Sequence, residues 1–300
     1  MIQTRGPKDI LTLAWWLIRH ERRALLIATG ICCITFPVHD SIATVLLPEG
    51  LIQVLGFLLA FFLGFHFSQA YSRWWEARTL WGSVVNESRN WRDALTNVLP
   101  RRASPEVRQR LLELWVLLIW CVNANLRTRA EQLVRLPGRV QELATSLGIS
   151  EPSVQQAMQA LAHGQRDLVE QDLIDTYERA DLIHVQHQVT RAIGGLERIH
   201  SQPLPVSSTL CIRALTWVYG YLVFLKLDSV GLFSAAVVGW LAFLTLLMAE
   251  RIGFFLEHPF RDPRFALPLD RICRLVSANL LGADHPLAQL DRLPSGPVVT

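Results

Sequence analysis

The chain has 300 residues, 51% of them apolar and only 18% charged, with a net charge of +3. Such fractions fit a membrane protein, and so small a net charge argues against a nucleic-acid partner. Lys8 and Lys226 are the only lysines, so the positive charge is nearly all guanidinium, which pairs bidentately with carboxylates at helix contacts.

Residues 1–23 carry Arg5, Lys8, Arg19, Arg22 and Arg23 around a short apolar centre, a pattern unlike a cleavable signal peptide. Within them, DILTLAWWLIRHERR is amphipathic with paired tryptophans. It predicts a helix lying at the membrane interface; an ordinary soluble N-terminal helix is the alternative. Four apolar stretches follow as candidate spans, since about 20 residues cross about 30 Å of hydrocarbon. They cover residues 24–47, 51–71, 208–225 and 230–249. Pro37, His39 and Asp40 interrupt the first, which is expected to bend or leave the membrane at Pro37. Arg213 weakens the third.

The second span meets no helix breaker between Gly64 and Trp91, so it is expected to run past the membrane surface. Leu80, Val84, Trp91 and Leu95 continue at helical spacing. Ser104-Pro105-Glu106 reads as a cap, a first-turn proline and a first-turn acid. The next helix, through Leu111, Leu114, Leu118 and Val122, is apolar on nearly all sides and predicts deep burial. Pro137-Gly138 breaks the chain, and Leu147-Gly148 with Ser150-Glu151-Pro152 marks another stop and start. A further helix is expected over 181–199, ended by Pro203 and Pro205. No strand pattern or internal repeat is visible.

The predicted fold is all-α: an N-terminal interfacial helix (1–23), membrane helices one and two (24–71), a cytosolic helical region (72–205), membrane helices three and four (206–250) and a cytosolic C-terminal segment (251–300). Arginines crowd the N-terminus, the middle segment and the tail, while the loop near Pro48-Glu49-Gly50 has none. By the positive-inside rule both termini and the middle segment are cytosolic.

Catalytic chemistry has no residues to stand on. GxxxxGK[ST], GxGxxG and HExxH are absent. Gly194-Gly195 lies inside a helical pattern and reads as a packing or bending point. His184 and His187 are three apart, but no Cys or carboxylate is placed to join them in a metal site. The last two spans contain no histidine for a haem. The five cysteines form no CxxC pair and predict neither disulfide framework nor zinc site. No enzyme activity, metal or cofactor is expected.

One stretch carries a functional pattern: GFLLAFFLGFHFSQAYSRWWEAR, residues 56–78. Phe57, Phe61 and Phe65 recur every fourth residue. Each step drifts only about 40° on a helix, so the rings form one column about 12 Å long. Such a column faces lipid or a neighbouring helix, or it lines a hydrophobic constriction that gates by dewetting. Ring edges toward an axis favour a dehydrated anion and ring faces favour a cation. One subunit cannot wrap a conduit, so a pore requires several copies around an axis.

FLGFHFSQAYSRWWEARTLWGSVVNESR resembles the bestrophin family of ion channels, in its bacterial branch. Gly64-Phe65, Arg73-Trp74-Trp75-Glu76-Ala77-Arg78 and Leu80-Trp81-Gly82 carry the first likeness, and LEHPFRDPRFALPLD, residues 256–270, the second. The resemblance implies a homopentamer of identical subunits with one axial pore, multi-pass in the bacterial inner membrane. It puts the neck at Phe57, Phe61 and Phe65, and a cytosolic aperture near Ile183 or Val185, at the start of a later helix. Phe61 matches the eukaryotic anion channels at the middle neck position, so chloride or other monovalent anions are the expected permeant ions. A cation-selective (sodium) channel of the same fold and a non-conducting scaffold are the alternatives. Gln53, Glu49 and His66 are assigned beside the pore or at its mouth. A carboxylate ring from Glu49 and Asp40 would draw cations; His66 would add charge if protonated, or pack between helices. Arg73, Trp74, Trp75 and Glu76 read as anchors at the membrane interface and helix contacts. Family members that bind calcium use an acidic cluster after Pro-Phe. Here Pro259-Phe260 leads into Arg261, Asp262, Pro263 and Arg264, which cannot supply six to eight oxygens.

Overall fold

The computed structural model describes residues 15, 18–19, 21–38, 49–127, 135–202, 204–226, 232–261 and 266–290. Among them nine α-helices follow in order: α1 (Arg22–Thr35), α2 (Glu49–Val98), α3 (Pro105–Arg127), α4 (Gly138–Ser146), α5 (Val154–Glu170), α6 (Thr176–Ser201), α7 (Val206–Lys226), α8 (Leu232–Glu257) and α9 (Leu269–Leu281). A 3₁₀ turn, Phe36–Val38, follows α1. No strand occurs among the described residues, and the fold is all-helical as expected. The chain divides into two compact units, residues 1–74 with 203–265 and residues 75–202 with 266–300. Helix α2 contributes its first half to one and its second half to the other.

In the first unit α1 and α7 and α8 pack around Ala28, Cys32, Phe224, Leu225, Phe243 and Leu247. Gly220 permits the α7–α8 approach, because a Cβ there would sit inside the Phe243 ring. Trp240 donates its indole N–H to the Thr29 hydroxyl at 2.9 Å, and that hydroxyl donates to the Leu25 carbonyl at 2.8 Å. Both polar groups are therefore satisfied without water, as hydrocarbon demands. Among the described residues three helices are long and apolar enough to cross a membrane, over Gly50–Val98, Ser208–Leu225 and Val237–Glu257.

Helix α1 has 14 residues, a length of about 21 Å, and its end falls where the first span is expected to bend. It ends ahead of Pro37, whose ring lacks an N–H and crowds the preceding turn. Residues 39–48, which include Asp40, lie outside the described residues, as does most of the expected N-terminal interfacial helix. Arg19 stacks its guanidinium over the Trp15 ring at 5.2 Å.

The second unit is built around α3, where every residue from Leu114 to Asn123 is buried. Trp91 and Trp115 stack at 4.6 Å between centroids. Trp115 donates to the Ser88 hydroxyl at 3.0 Å and Trp120 to the Ser277 hydroxyl at 3.2 Å. The α2 residues buried here are Ala77, Trp81, Val84, Ser88, Trp91 and Leu95. Their alternating steps of four and three are the seam rhythm of a helix that keeps one stripe against its neighbours. Gly195 of α6 lies against Leu80, whose Cδ1 would be 2.8 Å from a Cβ at that glycine. Gly195 is thus a packing point, whereas a Cβ at Gly194 would meet nothing within 4 Å.

Helix α5 starts directly after the expected stop and start at 147–152, with Ser153 as its cap accepting from the Gln156 N–H. Helix α6 opens at Thr176, not 181. Asp175 accepts from the Glu178 N–H at 2.7 Å, and the Glu178 carboxylate accepts from the Asp175 N–H at 2.8 Å. This reciprocal capping box adds a turn and more to the helix.

Candidate functional site

The neck candidate lies on the first half of α2. Its buried side is narrow: Leu59, His66, Ala70 and Trp74. Most of the remaining surface, although apolar, is open in the single chain. Phe57 is 71% exposed, Phe61 51% and Phe65 54%. The Phe61 and Phe65 rings lie 4.9 Å apart between centroids, and Phe62 meets Phe61 edge-on at 5.9 Å. The Phe61 and Phe65 rings thus lie side by side, and Phe57 stands one turn earlier on the same face of α2. So large an exposed apolar surface is one that lipid or another subunit covers. Gln53 is exposed one turn before Phe57. Glu49 is the first residue of α2.

His66 points the other way. It is 6% exposed and rests against Gly253 of α8, where a Cβ would stand 2.7 Å from its Cδ2 and 3.0 Å from its Nε2. The imidazole therefore packs between α2 and α8. The histidine directly after Phe65 is thus wedged behind the phenyl column.

The Arg-Trp-Trp-Glu stretch splits by side chain. Arg73 donates from Nε to the Glu257 carbonyl at 3.1 Å. Trp74 is buried and stacks on Tyr71 at 6.4 Å. Trp75 is exposed, with the Arg78 guanidinium 5.9 Å from its ring centroid. Glu76 pairs with Arg198 of α6 at 2.6 Å. Each residue thus has a packing or pairing role within its own unit.

Ile183 and Val185 are half-buried. They lie about two turns inside α6, because the helix begins earlier than expected. His184 and His187 are both exposed, and His184 shares a 3.3 Å contact with the Gln188 amide. Residues 262–265, after the Pro259-Phe260 pair, lie outside the described residues.

Several charged residues escaped the sequence reading. Glu250 is buried and lies 3.7 Å from Arg213 across α7 and α8. Arg251 pairs with Glu21 ahead of α1. The Glu257 carboxylate accepts from the Leu204 N–H at 3.2 Å. In the second unit Asp270 accepts from Asn123 at 3.0 Å and from Arg127 at 3.1 Å. The available signal was the run MAERIGFFLE, where ionisable residues sit at the end of an apolar span and need partners.

Fold and site define an all-helical integral membrane protein whose spanning helix α2 leaves an aromatic column uncovered. The chain matches the Bacterial/Fungal Bestrophin protein family over residues 18–282, and it belongs to that family. A voltage-dependent anion channel-forming protein of Synechocystis is 28% identical over 82% of this chain and 77% of its own length. One of the same description from Nostoc is 26% identical over 89% of this chain and 90% of its own length. A crystal structure of a bacterial bestrophin homolog from Klebsiella pneumoniae superposes with a TM-score of 0.72 at 25% identity, covering 90% of this chain and all of that one. The family is one of channels, not enzymes.

Proposed function

We propose that the protein is an anion channel of the bacterial inner membrane, a homopentamer whose α2 helices surround one axial pore. The observation that carries this reading is the column of Phe57, Phe61 and Phe65, solvent-open in the single chain on a membrane-length helix. A symmetric ring of such helices hides the column from water and makes a narrow hydrophobic neck. The names of the Synechocystis and Nostoc relatives support anion passage. In this reading chloride or another small monovalent anion passes between ring edges, which carry the positive end of the phenyl quadrupole.

Residues 72–205 and 251–300 then face the cytosol with both termini, in keeping with the arginine distribution. A second constriction lies on α6 near Ile183 or Val185. Gln53 and Glu49 stand toward the outer mouth. A non-conducting scaffold leaves the phenyl column without a purpose.

Disulfide crosslinking of Phe65→Cys in the purified assembly tests the axial placement. Crosslinks between neighbouring subunits are expected. An intact oligomer in which the introduced cysteines never link one subunit to the next would move the neck elsewhere.

A further inference from the structure

His66 is a buried imidazole packed against Gly253 of α8, on the same helix as the phenyl column. Helix α8 brings Glu250 one turn before Gly253 and Glu257 one turn after, both 4% exposed. The same helix supplies Arg251, paired with Glu21. Helix α7 supplies Arg213, next to Glu250. Helix α2 supplies Arg73, bonded to the Glu257 carbonyl. Arg261 lies 6.0 Å from the Phe254 ring centroid. At the end of α8, His258 is tied through Nδ1 to the Phe254 carbonyl at 3.0 Å. The carboxyl groups of Glu21, Glu250 and Glu257 and the guanidinium groups of Arg73, Arg213, Arg251 and Arg261 are thus charged groups of the elements around His66.

We infer that His66 sets the charge behind the neck, and that its protonation increases anion passage. A proton taken up from the aqueous side adds one positive charge per subunit on the helix turn that carries Phe65. In a dry, narrow neck a fixed charge acts at nearly full strength, attracting anions and repelling cations. Imidazole is the side chain whose charge changes between pH 5 and 8. Gly253 keeps the ring in place: any side chain there would push the imidazole off its seat. The inference rests on the channel reading above and adds a residue and a stimulus to it.

The test is chloride current through purified protein in a planar bilayer at symmetrical pH 8 and pH 5.5, for wild type and His66→Gln. Wild-type current, and its preference for chloride over the cation, should rise by about threefold or more at acid pH. His66→Gln should stay near the alkaline level at both pH values. A flat wild-type response overturns the inference, and so does a pH response that survives in His66→Gln, which would belong to His258 or to the mouth. If His66→Gln does not assemble, Gly253→Ala takes its place. A displaced imidazole should alter the pH response, and an unchanged response counts against the proposal. Should neither wild type nor a widened neck with Phe57, Phe61 and Phe65 all changed to Ala conduct at any pH, the channel reading itself falls.

Discussion

Shortening Phe57, Phe61 and Phe65 together to Ala should produce a gain. The rings are exposed in the single chain, so their loss removes little of its core, and stability should change by no more than about 1 kcal/mol per residue. Conductance should rise severalfold as the neck widens and wets. Single-channel recording decides this, and an assembled variant conducting like wild type would displace the neck from these residues. Asp270 predicts the opposite kind of effect. Its carboxylate joins α9 to Asn123 and Arg127 of α3. Asp270→Ala leaves both donors short of an acceptor and should cost about 1–3 kcal/mol in a thermal or denaturant melt. Cys121 is a third case. Burial pushes its thiol up to about 12, so below that pH it stays a neutral thiol and not the reactive thiolate. A thiol reagent at pH 8 should modify it only after unfolding; rapid labelling of the folded protein would show this helix to be open. Single residues were unevenly legible in the sequence. The phenyl column was readable because its geometry lies within one helix. The partners of Glu250 and Asp270 were not, because Arg213 and Asn123 reach them only through long-range packing.

Among the elements, α2 was the most legible: an unbroken pattern from Gly64 to Trp91 is part of one helix, Glu49–Val98. Helix α1 ends just ahead of Pro37, where the proline is expected to bend the first span. The start of α6 was missed. Asp175 and Glu178 are a capping box by spacing, but the residues between it and 181 carry no strong apolar rhythm to announce a helix. Asp175→Ala should cost about 1 kcal/mol in a melt and fray the first turn of α6. No change in stability would mean that packing alone holds that turn. Gly220 predicts more. Because a Cβ would overlap Phe243, Gly220→Val must force α7 from α8, at about 1–3 kcal/mol or more. Loss of assembled protein on size-exclusion chromatography is the expected result; normal assembly would show that Phe243 can turn aside.

At the scale of the whole molecule the all-helical class was open to sequence reading, because helical periodicity recurs and strand alternation does not. In a single chain the phenyl column is an exposed apolar stripe; in the channel we propose, a closed axis would make it a hydrophobic neck. The central claim is that this assembly passes anions. The measurement that tests it most directly is the reversal potential of the purified protein in a planar bilayer under unequal chloride-salt concentrations. A value near the chloride equilibrium potential is predicted. A value near that of the cation would contradict the account, keeping a pore and taking anion selectivity from its phenylalanine neck.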